Sequence, residues 1–123
     1  VRRAGFDAFS KAIIQHESGG RYGVLNAEGS GAAGIGQIMP DTARSLSQRL
    51  GIPYRQDLLE GTSSEARQYQ DTLTREALGE AWRYGKGDPR RAAYYYFAGP
   101  NQSGWGPKTR RYGEDILRRM GGR

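Results

Sequence analysis

Glycine closes every amphipathic stretch in this chain, and that punctuation constrains the fold more than any other feature. Phe6, Phe9, Ile13 and Ile14 recur at the spacing of one helical face, over about 5–17, and the stretch stops at Gly19-Gly20. Pro40 suits the first position of a second helix, with Asp41 adding favourable charge there; Ala43, Leu46 and Leu50 face inward before Gly51. A short turn around Asp57-Leu58-Leu59 comes next. Thr62 and Glu65 then read as a capping box opening the longest helix, whose stripe is Ala66, Tyr69, Leu73, Ala77, Ala81 and Tyr84, closed by Gly85 and Gly87. Asp88-Pro89 starts a fourth helix that runs through Phe97 to Gly99-Pro100. A last helix, about 108–120, turns Tyr112, Ile116 and Met120 inward and stops at Gly121-Gly122. Nothing alternates like a sheet, so the expected fold is all-α or predominantly α.

Length and residue usage exclude several chemistries. The chain's 123 residues suit one domain spanning 1–123. There is no cysteine and a single histidine, His16, so no disulfide framework, zinc cluster or Ser-His-Asp machinery is available, and neither a metal nor a cofactor is expected. No apolar run reaches membrane-spanning length. Because the sequence starts at Val1, it reads as a processed product or an excised domain of a larger parent protein.

Residues 21–38 have no sustained period and are rich in glycine, a composition that lets backbone approach other backbone or a ligand. Gly29 to Gly34 satisfies the dinucleotide pattern GxGxxG, but it comes after a helix and a polar loop where a strand would be required, so the nucleotide reading is set aside.

Glu17 is the residue with the clearest chemical potential. It stands four residues beyond Ile13, at the edge of the first helix's apolar face. Apolar surroundings disfavour a carboxylate, so its pKa is expected to rise, as a proton donor near neutral pH requires. His16 is adjacent, yet neighbouring helical residues do not face each other; it reads as a hydrogen-bonded surface or rim residue. In the run Tyr94-Tyr95-Tyr96-Phe97 at least one ring must line a surface, because successive helical residues point about 100° apart. Charge is uneven: residues 82–123 hold ten Lys and Arg against three acids, a balance of +7. That implies either a solvated Arg-rich face or an anionic partner.

Three stretches in order carry a resemblance: Glu17-Ser18-Gly19; Gly34-Ile35-Gly36-Gln37-Ile38-Met39-Pro40-Asp41-Thr42-Ala43; and Ala93-Tyr94-Tyr95-Tyr96-Phe97-Ala98-Gly99-Pro100. Together they resemble the soluble lytic transglycosylase catalytic domain, a lysozyme-like family that cleaves peptidoglycan. The resemblance implies that Glu17 is the catalytic acid and that Gln37 lines the glycan cleft. It also implies that Ser30 positions the substrate acetamido group and that Tyr96 and Tyr112 contact substrate. Peptidoglycan glycan strands are the implied partner, in the periplasm, the cell envelope or a phage virion. The sequence departs from the family at Gly36, where a methionine is usual, at Phe97, where asparagine is usual, and at Lys108, where many members have glutamate.

The acids themselves suggest a mechanism. Paired-carboxylate glycosidases need a second acid about 5–10 Å from the first, and the next ones in sequence, Glu28 and Asp41, occupy a flexible loop and a helix start. A substrate N-acetyl group can then act as nucleophile. If the muramyl O6 attacks, the product is a 1,6-anhydro sugar; if water attacks, the enzyme is a lysozyme, and goose-type lysozymes resemble this fold too. The readings from other classes are a non-catalytic wall-binding module and a nucleic-acid-binding module. The latter has the basic final third in its favour but no recognition-helix pair or zinc finger.

Overall fold

Proline and glycine do set the helix boundaries. The computed structural model describes residues 3–121, with side chains from residue 5 onward, so Val1, Arg2, Gly122 and Arg123 lie outside the described residues. Six helices succeed one another: α1 (Arg3–Ser18), α2 (Pro40–Leu50), α3 (Gln56–Leu59), α4 (Ser64–Gly85), α5 (Pro89–Ala98) and α6 (Pro107–Arg119). A single 3-10 turn, Gln102–Gly104, lies in the connection between α5 and α6. Among the described residues there is no sheet, only isolated antiparallel bridges pairing Leu25 with Ala33 and Ala33 with Ile38. The fold is predominantly α-helical, and none of these helices is long and apolar enough to cross a membrane.

Helix ends obey local chemistry. Pro40, Pro89 and Pro107 open α2, α5 and α6, where a missing N–H costs nothing. Asp88 caps α5 by accepting the Arg90 N–H at 3.0 Å, and Gly51 ends α2 in the left-handed conformation. The expected capping box at Thr62 is corrected. Helix α4 starts one residue later than that pairing requires, and it is the Ser63 hydroxyl that accepts the Ala66 N–H, at 3.1 Å. The Thr62 carbonyl instead receives the Arg67 guanidinium.

The chain divides into two compact units, residues 17–77 and residues 1–16 with 78–123. In the 17–77 unit, Ala33, Ile38, Ala43, Leu46, Leu58, Leu59, Ala66, Tyr69 and Leu73 form the core. Its polar contents are paired: the Tyr69 hydroxyl lies 2.8 Å from Ser47 Oγ and accepts the Arg55 N–H at 2.9 Å. In the other unit Phe9, Ala12, Ile13, Leu78, Ala81, Ala92, Ala93, Tyr112 and Ile116 form the core, with Trp82 packed against both Phe6 and Phe9. Helices α5 and α6 pack together there. Gly113 makes their close approach feasible, because a Cβ at that position would overlap the Tyr94 ring.

The aromatic run on α5 distributes its rings as helical geometry requires. Tyr94 meets Trp105 edge-on at 5.2 Å, while Tyr95 packs on Tyr84 at 4.5 Å and hydrogen-bonds Glu80. Tyr96 packs against the core, and Phe97 is the exposed member, at 46%.

Candidate active site

Glu17 is the penultimate residue of α1 and is half-buried. The residues after it hold the helix end rigidly. Ser18 is buried, and its Oγ accepts the Gly20 N–H at 3.1 Å. Its carbonyl receives the Arg21 Nε at 2.9 Å, and the backbone turns away through Gly19 and Gly20, both at positive φ. The backbone that carries Glu17 is thus fixed on its C-terminal side.

The loop 21–38 wraps on itself. Asn26 N–H donates to the Ala32 carbonyl at 3.0 Å, and the Gly34 N–H to the Val24 carbonyl at 2.9 Å. Residues 34–37 form a tight turn between the bridged residues Ala33 and Ile38. At its end Gln37 holds a φ of 51°, uncommon for a residue with a side chain. Its Nε2 donates to the Val24 carbonyl at 2.8 Å and to the Gly34 carbonyl at 3.1 Å. Gln37 therefore locks the loop with its amide nitrogen. Ser30 sits at the exposed tip, where its Oγ accepts the Ala32 N–H at 3.2 Å. The GxGxxG segment runs through this loop with Gly29, Gly31 and Gly34 all at positive φ and belongs to no strand–helix unit.

One residue that supports this loop has no counterpart in the sequence-based expectations. Gln70, on α4, is fully buried. Its Oε1 accepts the N–H groups of Gly23 and Ile35, each at 3.0 Å, and its Nε2 donates to the carbonyls of Leu58 at 2.8 Å and Gly61 at 2.9 Å. Gly34 is required beside it: a Cβ there would stand 3.0 Å from Gln70 Oε1 and 3.1 Å from the Leu59 carbonyl oxygen, at a φ of 86°. A second tie comes from Tyr22, whose hydroxyl donates to the Asp71 carboxylate at 2.9 Å; that bond raises the phenol's pKa. No sequence signal marks Gln70, because a glutamine on a helix reads as solvent-facing unless a buried neighbour is known.

Glu17, Ser30 and Gln37 all belong to the 17–77 unit, whereas Tyr96 and Tyr112 belong to the other. In that second unit Tyr112 is 5% exposed, with the Phe97 ring stacked on it at 4.8 Å and 28° and the His16 ring edge-on at 4.9 Å and 84°. His16 thus packs its ring on Tyr112. Its Nδ1 is buried with no hydrogen-bond partner among the described residues, and the residue as a whole is half-buried. Burial, followed by the nearby Arg119 charge, lowers its pKa against the opposing pull of Asp115.

The next acids after Glu17 in sequence are in open settings. Glu28 is exposed, and the Asp41 carboxylate is exposed and paired with Arg44 at 2.8 Å. Among the described residues no group of three or more His, Asp or Glu is arranged to hold a metal ion.

Comparison with known proteins gives a consistent result. The family model for the transglycosylase SLT domain matches residues 7–104. A curated relative, the "Transglycosylase" of Enterobacteria phage PRD1, is 32% identical over 108 residues, which is 88% of this chain and 35% of that protein. The chain thus spans about a third of the length of the curated relative it matches. No solved structure matches it. With the family model covering most of the sequence, including Glu17, the glycine-rich loop and Tyr96, the chain belongs to the transglycosylase SLT domain family of the lysozyme-like superfamily.

Proposed function

We propose that the chain is a single catalytic domain of a lytic transglycosylase that cleaves the β-1,4 bond between N-acetylmuramic acid and N-acetylglucosamine in peptidoglycan, leaving a 1,6-anhydromuramyl end. The observation that carries this reading is Glu17, half-buried at the capped end of α1, in a chain matched by the SLT family over most of its length. Glu17 protonates the glycosidic oxygen as the bond to the muramyl anomeric carbon breaks. The substrate acetamido oxygen stabilises the sugar cation, and the Glu17 carboxylate then takes the proton from O6 as that oxygen attacks. The exposed positions of Glu28 and the Asp41 carboxylate favour one acid over a carboxylate pair.

In this reading Gln37 lines the glycan cleft, Ser30 orients the acetamido group, and Tyr96 and Tyr112 contact substrate. The place of action that goes with this reading is the periplasm or cell envelope, or a phage particle. Glu17 is expected to titrate above an ordinary glutamate, a shift measurable by carboxyl-carbon NMR.

Glu17→Gln should fold as the parent does and lose wall cleavage in zymograms by at least about a hundredfold. Mass spectrometry of the released muropeptides should find ends one water lighter than reducing ends. Reducing ends carrying heavy oxygen, after digestion in labelled water, would make the domain a lysozyme. Undiminished cleavage by the Gln variant would remove Glu17 from the chemistry.

A further inference from the structure

The residue that presents an aromatic face to solvent beside the substrate-contact candidates is Phe97. A solitary exposed phenylalanine is ordinary on a protein surface; this one differs in the groups behind and beside it. Its ring is stacked on Tyr112, whose ring is met in turn by the edge of His16, so the exposed ring has an aromatic support behind it. Tyr112 lies beneath it at 5% exposure.

The second observation lies on α6. Lys108 is exposed and stands four residues before Tyr112, one turn away on the same helix face. It occupies the first turn of α6, which contains no acid. The positive end of a helix dipole disfavours a cation, and an acid is the stabilising choice there. A positive charge has been placed where the helix alone would reject it, on the face that carries the aromatic stack.

We infer that Phe97 and Lys108 form a specificity-determining surface for an anionic N-acetylated sugar of the glycan strand: the Phe97 ring stacks on the apolar face of the pyranose and Lys108 attracts a carboxylate borne by it. This rests on the glycan-binding reading above. The carboxylate has two sources in the wall, the lactyl group of a muramyl residue stripped of its peptide and the acids of the peptide stem.

Calorimetry on the Glu17→Gln chain separates the contributions, using stem-bearing glycan fragments, peptide-stripped glycan fragments and neutral N-acetylglucosamine oligomers. Phe97→Ala should weaken binding of all of them about three- to tenfold, whereas Phe97→Trp, which keeps a broad ring, should stay within about twofold of the parent. Lys108→Glu should weaken only the anionic ligands, about tenfold at low salt, and at the same time raise the melting temperature, because it repairs the helix terminus. Loss on the stripped glycan assigns the lactyl carboxylate, and loss confined to stem-bearing fragments assigns the stem. Parent affinities in Phe97→Ala, or an equal loss by Lys108→Glu on neutral and anionic ligands, would overturn the inference. A chain with Glu17 restored that binds these ligands as expected but cleaves none would defeat the proposed activity and leave this surface standing.

Discussion

Gln70, itself fully buried, uses both hydrogens and both acceptor sites of its amide on backbone groups from two different segments. It therefore couples the loop bearing Gln37 to the turn at 58–61. Gln70→Leu would keep the volume but strand the N–H groups of Gly23 and Ile35 and the carbonyls of Leu58 and Gly61. The expected loss is about 3 kcal/mol, read by urea unfolding, with wall cleavage falling alongside as the loop loosens. Stability within about 0.5 kcal/mol of the parent would show that the loop does not depend on this amide. The residue scale is also where sequence is least legible. Glu17 is marked by its position at the end of an apolar face, and Gln37 by its motif. Gln70 and Ser47 are buried polar residues whose partners come from distant segments, and His16 packs against Tyr112 from a helix almost a hundred residues away. Periodicity within one helix contains no information about such partners.

At the scale of elements, boundaries set by proline, aspartate and glycine are legible because each acts through its own backbone. Pro40, Asp88 and Gly51 do as their local chemistry dictates. The start of α4 is displaced because Thr62, Ser63 and Ser64 offer hydroxyls in succession, and Glu65 favours the first of them only if a capping box forms. Since Ser63 makes the cap, Ser63→Ala should cost about 1 kcal/mol and Thr62→Ala a few tenths. Chemical denaturation of the two variants side by side checks this, and the reverse order would restore the box. The α5 aromatic run shows the same division: that its rings must diverge is legible from helical geometry, whereas Phe97 as the exposed ring depends on α6 supplying Tyr112 as its support.

For the molecule as a whole, charge is the property with the longest reach. The nine described Lys and Arg between residues 82 and 121 are all exposed; Arg90 pairs with Glu114 at 3.1 Å and Arg118 pairs with Asp115. Such a field should hasten encounter with anionic wall polymer while leaving proton transfer at Glu17 untouched. Sedimentation with intact wall should weaken between about 50 and 300 mM salt, and turnover of a short neutral glycan should hold nearly level. Equal salt sensitivity on both would assign the charge to the chemistry. The order of the two units along the chain has a consequence of another kind. Residues 17–77 are contiguous, whereas the unit around Phe9, Ala92 and Ile116 is assembled from the two ends of the sequence. On the ribosome the first can close as soon as its own residues emerge; the second must wait for the last helix to be made, with the apolar face of α1 uncovered in the meantime. Until α6 has been made, Phe6, Phe9 and Ile13 have no completed core to enter, so during synthesis this apolar face is the part of the domain most open to association.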